Sequence, residues 1–149
     1  MIDYAGFFHI GIVVKDMATG MADMSRRFGV TFPEAREANV KMRYLGEEQQ
    51  VSVKFVYSRE GPVYIELLEA VPGTVWENAG IHHLGVFCDG MEDEVQKLVA
   101  DGYTHEGASL GADGSLQGAQ YITNDSGVRL EFQRGETREQ FRKMLGLAG

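Results

Sequence analysis

Two histidines and two glutamates stand at matched places in this chain of 149 residues. His9, in Phe8-His9-Ile10-Gly11-Ile12-Val13-Val14, and His83, in His82-His83-Leu84-Gly85-Val86-Phe87-Cys88, lie 74 residues apart. Glu66, in Tyr64-Ile65-Glu66-Leu67-Leu68, and Glu131, in Arg129-Leu130-Glu131-Phe132-Gln133, lie 65 apart. Two neutral imidazoles with two carboxylates suit a divalent cation, because the carboxylates cancel its charge and the four groups fill four coordination positions. Taken singly, each histidine would be a packing residue and each glutamate part of a solvated strand face. Their repetition in the same order makes a metal site the better reading.

Parity decides whether the four can meet, since side chains alternate across a strand. In the first histidine strand Phe8, Ile10, Ile12 and Val14 form an apolar face, leaving His9, Gly11 and Val13 on the other. In the second, His82 goes with Leu84, Val86 and Cys88, and His83 with Gly85 and Phe87. Gly11 and Gly85 leave room beside the imidazoles. Val63, Ile65 and Leu67 form the packing face of one glutamate strand, and Val128, Leu130 and Phe132 that of the other. Each half therefore turns one His and one Glu away from its apolar layer. A pseudo-twofold axis between the halves would bring all four together.

The elements that position them also repeat. The shift of 74 sends Met17, Met21 and Met24 onto Met91, Val95 and Leu98, each set with the i, i+4, i+7 spacing of an amphipathic helix. Strands are expected near 7–14, 39–45, 51–57, 63–70, 81–88, 103–108, 118–123 and 128–133, with helices at 17–28 and 91–101. Asp16 reads as an N-cap and Gly102 as a helix stop. Ser58 to Pro62 is a turn, Val71-Pro72-Gly73 opens the connector between halves, and Ser109 to Gln117 is the expected mobile loop. Residues 136–147 read as a final helix with Phe141, Met144 and Leu145 on its apolar side. The whole is one α+β domain over 1–149, with one module at about 5–72 and a second at about 79–135.

Several other chemistry-bearing residues receive plainer readings. His82 points by parity toward the helix layer, Cys88 is a small buried apolar residue, and the three methionines are core. His105 lacks a partner at ligand spacing and is placed on the surface. Glu47 and Glu48 are secondary candidates for a proton carrier.

Composition narrows the function classes. The chain is 44% apolar and 24% charged, in the globular range, with a formal net charge of −8. The first 74 residues carry 8 basic and 10 acidic side chains and the rest carry 6 and 12, so neither half offers a basic field for nucleic acid. No apolar run approaches a membrane span, and no secretory leader is visible. A single cysteine fits a reducing cytoplasm.

The four quoted strand motifs together resemble the vicinal oxygen chelate superfamily, which includes glyoxalase I, methylmalonyl-CoA epimerase, extradiol dioxygenases and the fosfomycin- and bleomycin-resistance proteins. The resemblance covers about residues 7–134 and is nearest to the glyoxalase and epimerase branches. Val51 to Val56, followed by Ile65-Glu66-Leu67-Leu68, resembles the epimerase's central strands, and His82-His83 its paired histidines. Glu66 and His83 are only 17 residues apart, shorter than the epimerase's usual segment, and no separate match to glutathione-binding side chains is visible. The motifs therefore point to the superfamily and not to the substrate.

The resemblance implies two paired βαβββ modules whose mixed sheet curls around a metal-binding cavity. It implies one divalent ion (zinc, nickel, cobalt, manganese, magnesium or iron) held by His9, Glu66, His83 and Glu131. Two remaining positions would seat neighbouring oxygens of a small-molecule substrate, such as those of an enediolate. Glu131 and Glu66 are the candidate catalytic bases for proton transfer beside a chelated carbonyl, as an isomerase, epimerase or glyoxalase-type lyase. The alternatives are a metal-free binding or sequestration protein and an extradiol-type dioxygenase. A homodimer is the assembly the resemblance favours.

Overall fold

The computed structural model describes residues 2–146. Its elements in chain order are β1 (Phe7–Val14), α1 (Met17–Phe28), β2 (Arg36–Tyr44), β3 (Glu47–Tyr57), β4 (Tyr64–Glu69), β5 (Gly80–Cys88), α2 (Met91–Ala100), β6 (Thr104–Leu110), β7 (Leu116–Thr123), β8 (Leu130–Arg134) and α3 (Arg138–Met144). Single 3-10 turns precede β1 and α3.

The strands close into one sheet in the order β1-β4-β3-β2-β6-β7-β8-β5. Read from either end of that order, each half lays down its strands in the same sequence. The pairs β1·β4 and β5·β8 are parallel, and the remaining pairs are antiparallel. The halves meet at two seams, β1 against β5 and β2 against β6. The expected pair of βαβββ modules is therefore present, curled into a closed mixed sheet. No helix among the described residues is long and apolar enough to cross a membrane.

Helix ends follow local chemistry. The Asp16 carboxylate accepts from the Thr19 amide at 2.8 Å, capping α1 as its sequence position predicts. Outside the sheet, Met17 packs with Val56 and Leu67, flanked by Met21 and Met24 of α1. On the other half, Met91 and Val95 of α2 pack with Val86, Cys88, Ile122 and Phe132. Each helix thus covers the apolar strand face of its own half, and the opposite faces line the interior. There Met42, Val51, Val53, Leu68, Trp76 and Tyr121 form a buried apolar cluster.

Several expectations are corrected. The loop at 109–117 is shorter, because β6 and β7 pair as far as Leu110 opposite Leu116, leaving 111–115 as the turn and burying Ser109. Val63 and Val128 lie just outside their strands and are exposed, so the packing faces reduce to Ile65 with Leu67 and Leu130 with Phe132. The final helix begins with a 3-10 turn at 135–137 before α3, and Leu147 lies outside the described residues.

Parity itself fails at two places, both on the seam between β1 and β5. Phe7 pairs with Val86 and His9 with Gly85, so Phe8 has no opposite number. Gly11 pairs with His83 and Ile12 with Ile81, so His82 has none either. Each is a bulge, which inserts an unpaired residue and re-aims the side chains around it. Phe8 accordingly leaves the α1 layer and stacks on Phe87 beneath Phe141 of α3. The two bulges are themselves 74 residues apart, each one residue before a site histidine.

Candidate metal centre

His9 and His83 come from the antiparallel β1·β5 seam, while Glu66 and Glu131 lie on the strands that flank it in parallel. In register, Glu66 is opposite Gly11 and Glu131 is opposite Gly85. All four side chains are buried, and one ligand atom from each lies within 4.8 Å of every other. His9 Nε2 and His83 Nε2 are 2.8 Å apart. Glu66 Oε2 is 3.2 Å from the former and 3.1 Å from the latter. Glu131 Oε2 is 3.0 Å from His83 Nε2.

These separations bear on whether a metal fits. Ligand atoms about 2.1 Å from one ion stand about 3.0–3.4 Å apart on adjacent positions. The three histidine–glutamate contacts given above fall in that range, the two imidazole nitrogens at 2.8 Å are slightly closer, and His9 Nε2 to Glu131 Oε1 is wider at 3.8 Å. Glu66 Oε2 makes no directed hydrogen bond despite lying close to two imidazoles, and His9 Nδ1 also lacks a partner. A buried polar atom without a partner is costly, so its orientation calls for a cause. Donor type, spacing and the unsatisfied carboxylate oxygen all suit a divalent cation.

The glycines that accompany each histidine serve the opposite half. A Cβ on Gly11 would stand 2.0 Å from the His83 ring, and one on Gly85 would stand 1.8 Å from the His9 ring. Each glycine thus makes room for the imidazole across the seam rather than for the one on its own strand.

Around the cluster the halves differ. Glu131 accepts from the Tyr121 hydroxyl at 2.7 Å and from Gln133 Nε2 at 2.6 Å. Trp76 Nε1 donates to Tyr121 Oη at 2.9 Å, which extends this chain into the connector before β5. His82, expected against the helix layer, is turned inward by its bulge and sits with its Nδ1 2.8 Å from His83 Nδ1. Its Nε2 is 2.6 Å from the Val75 carbonyl oxygen. His82 is the site residue that strand parity missed; a bulge leaves no mark in alternation, and the only available signal was its place beside His83.

Electrostatics follow from burial and charge at close range. Burial alone would raise the Glu66 carboxyl, but the imidazoles of His9 and His83 hold it well below the usual range. Glu131 is likewise lowered, burial being outweighed chiefly by His83. His83 is pushed up to about 10: burial works against its charge, and the carboxylates of Glu131 and Glu66 overcome it. Burial, followed by the neighbouring His83 charge, lowers His82 to about 4, which keeps it neutral. The phenols of Tyr57 and Tyr121 are raised by burial and by both carboxylates, so they remain hydrogen-bond donors.

Beside the cluster lies a cavity of about 190 Å³ lined by both site glutamates, Val53, Phe55, Leu68, Trp76, Ser109 and Gln133. A wider groove of about 370 Å³ shares Phe55, Tyr57 and Gln133 with it and runs beneath Phe141 and Met144 of α3. Arg36 is the cation lining that groove.

The other candidates lie elsewhere. Glu47 and Glu48 are exposed at the far end of β3, where Glu48 pairs with Lys41 at 2.8 Å. His105 is not a surface residue; it is half-buried and bonded to Gln120 at 2.9 Å. Cys88 is buried among apolar side chains, as expected.

A closed sheet of two paired modules with a His2Glu2 cluster at their seam defines a vicinal-oxygen-chelate type of architecture. The chain belongs to the Glyoxalase/Bleomycin resistance protein/Dioxygenase superfamily, whose family model matches residues 8–117, a span that includes His9, Glu66 and His83. Similar solved structures include a hypothetical protein from Bacillus halodurans, at 21% identity and a TM-score of 0.55 over 86% of this chain and 92% of that one. Methylmalonyl-CoA epimerase from Mycobacterium tuberculosis is similar at 17% identity and a TM-score of 0.58, over 90% and 92% of the two chains. A variant of the Streptomyces coelicolor epimerase in complex with 2-nitronate-propionyl-CoA matches at 18% identity and a TM-score of 0.54, over 85% and 91%. At these identities the likeness is one of fold. The chain has no match among curated proteins.

Proposed function

We propose that this protein is a divalent-metal-dependent enzyme of the isomerase, epimerase or glyoxalase-lyase type, moving a proton on carbon beside a carbonyl of a small organic substrate. The observation that supports it most is the convergence of His9, Glu66, His83 and Glu131 on one buried point next to an open cavity.

The four side chains would hold the ion, and the ion when bound supplies positive charge for a carbonyl oxygen that becomes negative as its neighbouring carbon loses a proton. The protein's own groups divide the remaining work. Val53, Phe55, Leu68 and Trp76 line the cavity with apolar surface that limits water around the reacting carbon. Glu131 already accepts two hydrogen bonds, which fix its place. Glu66, whose Oε2 makes no directed hydrogen bond, is the carboxylate freer to leave the ion, so it is the better proton carrier of the two, taking a proton on release and returning it. Homodimerisation belongs to the same reading and is tested by sedimentation.

The deciding experiment is solvent exchange. Zinc-, cobalt- and manganese-loaded protein is incubated in D2O with methylmalonyl-CoA, the ligand of a structural neighbour, and with a panel of small α-hydroxy ketones and hemithioacetals. Metal-dependent loss of a substrate C–H signal is the expected result. Oxygen consumption coupled to turnover would mark a dioxygenase instead, and binding without turnover or bound metal a sequestration protein.

A further inference from the structure

The two site histidines occupy pseudo-equivalent positions, yet the residue at the bulge before each differs. Before His9 it is Phe8, whose ring meets His9 edge-on with centroids 4.3 Å apart and offers no hydrogen-bonding atom. Before His83 it is His82, which does. The proton positions follow from the partners. A carbonyl oxygen only accepts, so the 2.6 Å contact between His82 Nε2 and Val75 O requires the proton on Nε2. A neutral His82 then has a bare Nδ1, which accepts across 2.8 Å from His83 Nδ1. His83 therefore carries its proton on Nδ1, and its Nε2 is the atom turned toward His9, Glu66 and Glu131.

We infer that His82 is a positioning residue that selects the tautomer and ring orientation of His83, with the Val75 carbonyl as its anchor, so that His83 Nε2 is presented as a metal ligand. This rests on the metal reading above. The bulge that carries His82 is held from outside the cluster, because Arg129 Nη1 donates to the His82 carbonyl at 3.2 Å while its other nitrogens bind Glu106 at 2.8 Å. The connector supplies both braces of the second half: Val75 to His82, and Trp76 through Tyr121 to Glu131. In the first half Tyr57 hydrogen-bonds Glu66 as Tyr121 does Glu131, but among the described residues nothing braces the far nitrogen of His9, and both unpartnered polar atoms, His9 Nδ1 and Glu66 Oε2, belong to that half. Partners that fix the far nitrogen of a ligating histidine are typically worth about 10–100-fold in metal affinity. The two imidazoles are therefore unequal ligands.

Two measurements test this separately from the metal reading. In 15N-histidine-labelled protein, long-range 1H–15N spectra are recorded without metal and with zinc. The expected result is a neutral His82 protonated on Nε2 alone and a His83 that keeps its Nδ1 proton in both states. Zinc titration then compares wild type, His82→Phe and His82→Gln. The Phe variant copies the residue found before His9 and should bind about 10–100-fold more weakly. The Gln variant, with one donor and one acceptor, should recover part of the loss. Equal zinc affinity in the Phe variant, or a His82 protonated on Nδ1, would overturn the inference. Should His82→Phe fail to fold, the wild-type spectra alone decide it. Wild-type protein that takes up none of zinc, nickel, cobalt, manganese, magnesium and ferrous iron overturns the metal reading and the inference with it, and the expected tautomers in the same spectra would locate the fault in the metal.

Discussion

Gly11 and His83 sit opposite each other across β1 and β5, and the glycine's missing side chain is the space the imidazole occupies. Gly85 and His9 repeat the relationship in the other direction. Each half of the molecule thus builds the socket for the other half's histidine.

Substituting either glycine by alanine should displace the facing ring while leaving the ligand set chemically complete. Gly11→Ala and Gly85→Ala are each expected to cost about 1–3 kcal/mol of stability through overpacking. Zinc affinity should fall by at least about 10-fold, as for lost ligand positioning. Thermal unfolding and zinc titration check both effects. Unchanged affinity in both variants would show that the sockets do not set ligand position.

Metal removal should loosen the fold without abolishing it, since the barrel has its own apolar core. A ligand present at 100 times its dissociation constant stabilises by about 2.7 kcal/mol. For a chain of this size that corresponds to a melting shift of about 5–10 °C. Calorimetry of zinc-loaded and chelator-treated protein measures it. His83→Ala should eliminate the shift.

In metal-free protein, His83 is raised from 6.5 to about 10 by the carboxylates beside it. A histidine raised on folding stabilises fully below its unfolded value, and that contribution fades as pH climbs toward the folded one. The metal-free fold should therefore lose stability progressively between pH 6.5 and about 10. A metal takes His83 only after displacing that proton, so binding near pH 8 should release about one proton. Titration calorimetry in two buffers of different ionisation enthalpy counts it. A count near zero would place His83 in the neutral form beforehand.

The glutamates should separate by function. Glu66→Gln removes the carboxylate whose Oε2 makes no directed hydrogen bond and is expected to reduce solvent exchange at substrate carbon by about 100-fold or more, the usual range for a general base. Glu131→Gln should act mainly on metal affinity, because its carboxylate is held by Tyr121 and Gln133. Zinc titration and deuterium exchange on both variants check the division. The reverse pattern would make Glu131 the base.

Alternation and repetition carried the sequence far. His9, Glu66, His83 and Glu131 each lie opposite an apolar, helix-packing face, and that periodicity is a local property of strand geometry, visible without any tertiary contact. The Met17 and Met91 helices and the Asp16 cap were legible for the same reason: each depends on neighbours within a few residues. Tertiary structure decided what depends on pairing between distant segments. The seam between β1 and β5 placed unpaired residues at Phe8 and His82, reversing the side of the sheet each was expected to face. It also set each glycine against the other half's histidine, a relationship two strands acquire only by lying in one register. The braces from Val75 and Trp76 arise because the connector folds back over the second half, where a carbonyl and an indole N–H find partners that spacing along the chain does not reveal.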